Sequence, residues 1–214
     1  MSRDDREINL EEVRQSLAVY LDEENLDGFR EIFIDLHNYE QSEIYQSLTD
    51  EQRNTLYEFL SPEEVSDFFD LLELEADEYE ELLDKIDARY AAHIIGAMQY
   101  DNAVDILNEI SREKMTTYLP LMNKEDAAEI RSLLNYEEDT AGGIMTTEIV
   151  SINSLMTVRE AMRFLKEVAP DSEMIYYLFV TDPANHLAGI ISLRELIIAD
   201  DDEYIGDVMT ERVV

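Results

Sequence analysis

Asp101 and Asp105 stand four residues apart in the run QYDNAVDILNEI (99–110). On a helix this spacing puts both carboxylates on one face, a turn apart. Carboxylate oxygens are hard ligands, and a small divalent cation that keeps several waters uses one or two of them. Such a pair needs an opposing acid from elsewhere to complete a site. A second oxygen-rich stretch is Glu137, Glu138 and Asp139, followed by Gly142 and Gly143. Glycine lets a backbone carbonyl approach an ion closely, and carbonyl oxygen is an acceptable hard ligand. Asp200, Asp201, Asp202 and Glu203 form the densest acidic run. Each group also has a plainer reading: a solvated helix face, an acidic hinge whose glycines permit the turn, and a solvated loop. The residues alone leave both readings open.

Other chemistries find no support. Cysteine is absent, which removes thiolate metal sites, disulfides and cysteine nucleophiles and fits a reducing compartment. His37, His93 and His186 have no ligand-spaced partner for zinc. No G-x-G-x-x-G, Walker loop or nucleophile elbow is present. Carboxylate pairs are plentiful, but none comes with a pocket-forming motif, so the chain reads as a non-enzyme.

Charge sets the next bound. The 214 residues hold 51 Asp+Glu against 16 Lys+Arg, a net charge of −35. Phosphate binding needs clustered bases, so nucleic acid is excluded as a partner, and an anionic membrane surface with it. Yet 45% of the residues are hydrophobic, including 12 Tyr and 7 Phe, which no acidic disordered tail would carry. The chain folds against its own repulsion, and a multivalent cation would relieve it. No run approaches the roughly 18 apolar residues of a membrane span, and the start MSRDDREINLEEV lacks a secretory h-region. The chain as given reads as soluble and cytosolic.

The elements that must position these acids fall into two classes. Residues 8–135 read as consecutive short amphipathic helices. A repeat of 12 residues runs through 87–98, 99–110, 111–122 and 123–134, and backward through 75–86; after a two-residue insertion it continues in 61–72 and 49–60. Thr49, Ser61, Ser111 and Asn123 open repeats as N-caps, and Pro62 sits at a first helical position. Apolar residues fall mostly at repeat positions 5, 8, 9 and 12, as in Val65, Phe68, Phe69 and Leu72, one face of a helix. Helices of about ten residues are too short to stand alone, so they must stack as an α-solenoid. Segments 8–21 and 26–37 extend or cap it.

Beyond the turn-rich stretch 136–143 the pattern changes. Residues 148–152 and 174–182 read as strands around a helix at 157–169, with Thr157 as N-cap and Glu160 completing a capping box. A turn at 183–186, a strand at 187–192 and a helix at 193–200 complete a β-α-β-β-α module. IMTTEIV (144–150) recurs as VMTERVV (208–214), which marks the start of a second module and a longer parent protein. Residues 136–214 hold 16 acids and 5 bases, a net −11; the helical part holds 35 acids and 11 bases, a net −24.

The run YEEDTAGGIMT (136–146) resembles the junction signature Y-x-E-D-x-A-G-G-x-M of MgtE-type magnesium transporters. The helical array is similar to their superhelical N-terminal domain, which also resembles the middle domain of flagellar motor-switch proteins. APDSEMIYYLFVTD and GIISLRELIIAD resemble the way this family writes a cystathionine-β-synthase-type (CBS) domain. The resemblance implies an α-helical superhelix over 1–135, an acidic hinge at 136–143, a first CBS domain at 144–207 and the start of a second at 208–214. It implies a cytosolic region that senses Mg2+ and gates a membrane pore carried by the same full-length chain, with homodimers formed through CBS domains.

For individual residues, the resemblance assigns Asp101 and Asp105 to interdomain Mg2+ sites whose opposing acids lie mainly in the second CBS module. It makes Gly143 a backbone ligand and matches Asp200 alone in the acidic run. CBS domains often bind an adenine nucleotide. Glu195 would then contact ribose, Arg194 approach phosphate, Tyr177 pack on the base and Val214 start the facing strand. The plainer roles are sheet core for Tyr177 and a helix-surface ion pair for Arg194 and Glu195. The rival to ion sensing is a motor-switch-like interaction scaffold whose acidity serves solubility.

Overall fold

The computed structural model describes residues 3–72, 74–137, 140–169 and 175–211, with side chains from Leu10 onward. It divides into two compact units, Met1–Met145 and Thr146–Val214.

The first unit is helical: α1 (Arg3–Asp22), α2 (Leu26–Phe33), α3 (Asn38–Ser47), α4 (Asp50–Phe59), α5 (Pro62–Phe69), α6 (Ala76–Asp84), α7 (Ala88–Ala97), α8 (Tyr100–Glu109), α9 (Arg112–Tyr118) and α10 (Lys124–Leu133). From residue 49 to 134 every 12-residue repeat holds one helix. The first residue of each repeat is the N-cap: Thr49, Ser61, Glu75, Asp87, Gln99, Ser111 and Asn123. The same frame continues upstream, where Asn25 and His37 cap α2 and α3.

Helix α3 is the element that the apolar pattern obscures, because Gln41 occupies repeat position 5. The structure buries Gln41, whose Nε2 donates to the Phe33 carbonyl at 2.8 Å. Two expected caps hold the position without the bond. Ser111 instead donates its N–H to Glu80 Oε1 at 3.0 Å, and Asn123 Nδ2 donates to Asp126 Oδ2 at 3.1 Å. The dipole-facing acids Glu113 and Glu125 remain in those first turns.

The helices pack on their next-but-one neighbours: α3 and α7 on α5, α6 and α10 on α8, α9 on α7. Positions 5, 8, 9 and 12 supply the buried seam. Phe33 meets Phe68 edge-on at 5.7 Å between ring centroids, and Tyr45 lies 5.5 Å from Phe68. Hydrogen bonds near the same spacing tie the stack. Arg30 Nη2 donates to Glu64 Oε1 at 2.5 Å and its Nη1 to the Phe59 carbonyl at 2.9 Å. Tyr90 Oη donates to the Leu60 carbonyl at 2.7 Å. This is solenoid packing, each repeat completed by its neighbours.

The second unit holds β1 (Ser151–Asn153), α11 (Val158–Val168), β2 (Tyr177–Thr181), β3 (Leu187–Ser192), α12 (Leu193–Ile198) and α13 (Ile205–Val208). Its sheet runs β1-β2-β3, with β1 parallel to β2 and β2 antiparallel to β3. The β-α-β-β-α order holds, though β1 begins three residues later than the alternation predicts. Val150 still accepts from Phe179 N at 3.0 Å. Ile152, Leu178, Val180 and Ile191 form the core with Val158, Leu165, Leu196 and Ile205. After α13, Thr210 exchanges backbone bonds with Ile190 at 2.8 and 3.0 Å, so the start of VMTERVV lies against β3. Gly189 permits this, since a Cβ there would stand 2.6 Å from the Thr210 carbonyl oxygen.

Phe68→Ala should therefore cost the helical unit about 3–5 kcal/mol in denaturant unfolding, as expected of an aromatic side chain removed from a closed core. Glu113→Ala on the exposed face should stay within about 0.5 kcal/mol of the parent. Equal losses would contradict the seam.

Candidate functional site

Helix α8 carries Asp101 and Asp105 over a face of buried Ala103, Val104, Ile106 and Leu107. Asp101 is partly buried in the first turn, and Asp105 is exposed one turn on. The N-cap Gln99 gives no side-chain bond to that turn. Asp101 Oδ1 accepts from Asn102 N at 3.0 Å instead. Asn102 Nδ2 in turn donates to Asp70 Oδ2 at 2.8 Å, across 32 residues.

Asp70 ends α5 as its C-cap, where burial pushes its carboxyl above the ordinary 3.8. Asp67 is raised as well, by burial and then by the Glu64 charge. Glu64 is held below 4.5 by its bond to Arg30. The electrostatics of neighbouring acids are thus graded by their partners and not by charge count alone.

At the junction, the Glu137 carbonyl accepts from Thr140 N at 3.0 Å and Thr140 Oγ1 at 2.7 Å. The Gly143 N–H donates to the Thr140 carbonyl at 3.0 Å. The Tyr136 ring lies over Gly142, where a Cβ would come within 2.2 Å of its Cδ1. Gly142 thus has a packing role beside any contribution of the junction to ion binding. Glu138 and Asp139 lie outside the described residues.

The acidic run 200–203 is an ordered turn. Asp200, itself exposed, donates its N–H to Glu203 Oε2 at 2.9 Å. The Asp201 and Glu203 carbonyls accept from Arg159 N and Val158 N at 3.1 and 2.9 Å, capping α11. Arg159 Nη2 lies 3.3 Å from Asp201 Oδ2 and 3.1 Å from Asp202 Oδ1. The structure gives the run this capping role, which its charge pattern did not reveal.

Tyr177, Arg194 and Glu195 line one open groove of about 890 Å³ with Tyr176, Ser192 and Ile198. The register opposes Tyr177 on β2 to Ser192 at the end of β3, which brings them together. Tyr177 is 54% exposed, so it is not sheet core. The Glu195 carboxylate accepts from Ser192 N at 2.8 Å and Oγ at 2.7 Å, which holds it below the usual range. Val214 lies outside the described residues. Among the described residues no three His, Asp or Glu side chains converge on one metal position.

A pH dependence follows from Asp67 and Asp70. Their raised folded-state values mean that the folded chain binds protons more readily than the unfolded one, so their ionisation opposes folding. That opposition is present above the raised values and is relieved as pH falls through them. Glu64, lowered, supports folding above 4.5 and loses that support as pH falls toward its folded value. The melting temperature of the helical unit should rise as pH falls from neutral toward 4.5, below which Glu64 begins to lose its support. Asp70→Asn should raise it at the upper pH and shrink the gain. A parent profile that falls over this interval would contradict the assignment.

Residues 36–139 match the MgtE intracellular N domain and residues 141–202 the CBS domain. The chain is 45% identical over 207 residues to the magnesium transporter MgtE of Enterococcus faecalis, covering 95% of this chain and 46% of that protein. To MgtE of Thermus thermophilus it is 31% identical over 207 residues, with the same 95% and 46% covered. It thus spans about half the length of the curated relatives it matches. Its structure is similar to the crystal structure of the soluble part of a magnesium transporter, with a TM-score of 0.91, 46% identity, and 96% of this chain and 80% of that one covered. The crystal structure of the cytosolic domain of the Mg2+ channel MgtE in complex with ATP matches with a TM-score of 0.80 and 31% identity, over 94% of this chain and 82% of that one. Both matched domains are regulatory modules without catalytic function. The chain belongs to the MgtE magnesium transporter family, of which it comprises the intracellular N domain and a CBS domain.

Proposed function

We propose that this chain is the cytoplasmic magnesium-sensing and gating region of a membrane magnesium transporter. The carrying observation is the placement of Asp101 and Asp105 on the outward face of α8, in a helical stretch (residues 1–135) of net −24 that is followed by residues 136–214 of net −11. Mg2+ takes one or two carboxylates and retains water, so two acids a turn apart supply half of a bridging site. Acids of the CBS region, including those of a second CBS module, supply the other half. Glu137, Glu138, Asp139, the Gly143 carbonyl and Asp200 are further oxygen ligands in this reading. At high Mg2+ the ions join the acidic faces and favour a closed arrangement of the pore that the full-length chain carries. When the ions leave, like charge drives the faces apart. The ion acts by binding one arrangement more tightly than the other.

The groove of Tyr177, Arg194 and Glu195 fits an adenine nucleotide, supported by a relative whose cytosolic domain is described in complex with ATP. Tyr177 offers an exposed ring and Arg194 a cation. The Glu195 carboxylate is already directed by Ser192. Dimerisation through CBS domains completes the reading.

The test is the thermal melt of the full-length protein across a magnesium titration. A ligand held by the folded state alone stabilises it by about 2.7 kcal/mol at 100 times its Kd. Magnesium should raise the melting temperature well beyond equal ionic strength of sodium chloride, and beyond calcium. Asp101→Asn with Asp105→Asn should remove most of the magnesium-specific gain. An identical response to sodium and magnesium would favour an interaction scaffold whose acidity serves solubility.

A further inference from the structure

We infer that Asn102 is a positioning residue for the Asp101–Asp105 pair, acting through a latch to Asp70 at the end of α5. This rests on the cation-sensing reading above. Asn102 makes two bonds in opposite directions along the array. Its backbone N–H donates to Asp101 Oδ1 at 3.0 Å, fixing one carboxylate oxygen at the head of α8. Its side-chain Nδ2 donates to Asp70 Oδ2 at 2.8 Å. An ionised carboxylate only accepts, so the amide nitrogen and not the amide oxygen must face Asp70.

Asp70 closes α5, and α5 is anchored by Phe68 and Phe69, both fully buried. The α8 head receives no side-chain cap bond from Gln99, and its first residue, Tyr100, is tied to α10 by donating to Asp126 Oδ1 at 3.3 Å. On the α5 side the Asn102 amide supplies the tie, next to the carboxylate it steadies. Mg2+ demands near-ideal octahedral geometry, so slack in a ligand is costly to affinity. Groups that orient ligands from behind act in this way at metal centres.

The residue type also fits. A Lys or Arg could donate to Asp70, but its charge would sit next to Asp101 and compete with the cation. An Asp at 102 would face Asp70 with a second negative charge. The neutral amide donates and leaves the field of the pair unchanged.

The test uses the full-length protein and reads the magnesium midpoint of protection from limited proteolysis, alongside the melting temperature without magnesium. Asn102→Ala and Asp70→Ala should each raise the midpoint about tenfold, and the double variant no further, as for two ends of one link. Asp70→Asn keeps an acceptor for Asn102 Nδ2 and should stay within about twofold of the parent. If Asn102→Ala does not fold, the two Asp70 variants decide the matter. Midpoints unchanged in both alanine variants would overturn the latch. So would midpoints that move only in proportion to lost magnesium-free stability. A parent without magnesium-dependent protection sinks the sensing reading itself, and the latch with it.

Discussion

A helix of ten residues cannot hold itself together in water, and this constraint shapes the whole helical unit. Each 12-residue repeat can bury about four positions against its neighbours. The first residue is committed to capping, and most of the rest face outward. Val65, Phe68, Phe69 and Leu72 show the division within one repeat, with Glu63, Glu64, Asp67 and Asp70 on the remaining positions. The seam provides enough burial for the outward positions to be acidic. A net charge of −24 is therefore carried by a stack held from within. Its acids share a surface without sharing a function, because each is graded by its own partners.

That grading commits many of the acids to building the fold. Glu64 is occupied by Arg30, and Asp201 and Asp202 by Arg159. Glu160 and Glu195 close capping boxes. Asp70 is engaged by Asn102. Repulsion among the outward acids is the energy that a divalent ion can release. In the sensing reading proposed above, it becomes a signal because the folded units persist when the ion leaves.

Much of this was legible from residue spacing. The 12-residue frame located the helices and their caps because periodicity and capping are local. It faltered at α3, where a buried Gln41 satisfies the Phe33 carbonyl in a position that elsewhere takes an apolar side chain. The α13 turn was also missed, being four residues long with one buried side chain, Ile205. Tyr177, Arg194 and Glu195 meet because the β2–β3 register is set by a short hairpin. The links Asn102–Asp70 and Arg159–Asp202 join residues 32 and 43 apart. No local pattern encodes such pairs; they follow from how repeats stack and how α11 meets the turn after α12. The seating of Tyr136 on Gly142 is short in sequence but depends on the turn it stabilises.

The central claim is that magnesium changes the arrangement of the two units. The chain contains no cysteine, so one label on each unit can be placed without removing a native thiol. Glu58→Cys and Glu167→Cys sit on exposed positions of α4 and α11. With the region extended through the second CBS module that the sensing reading proposes, pulsed dipolar spectroscopy between the labels should show a broad distance distribution without magnesium. It should become narrower and shorter at about 20 mM, beyond what sodium chloride of equal ionic strength produces. The same distribution at every magnesium concentration would contradict the account.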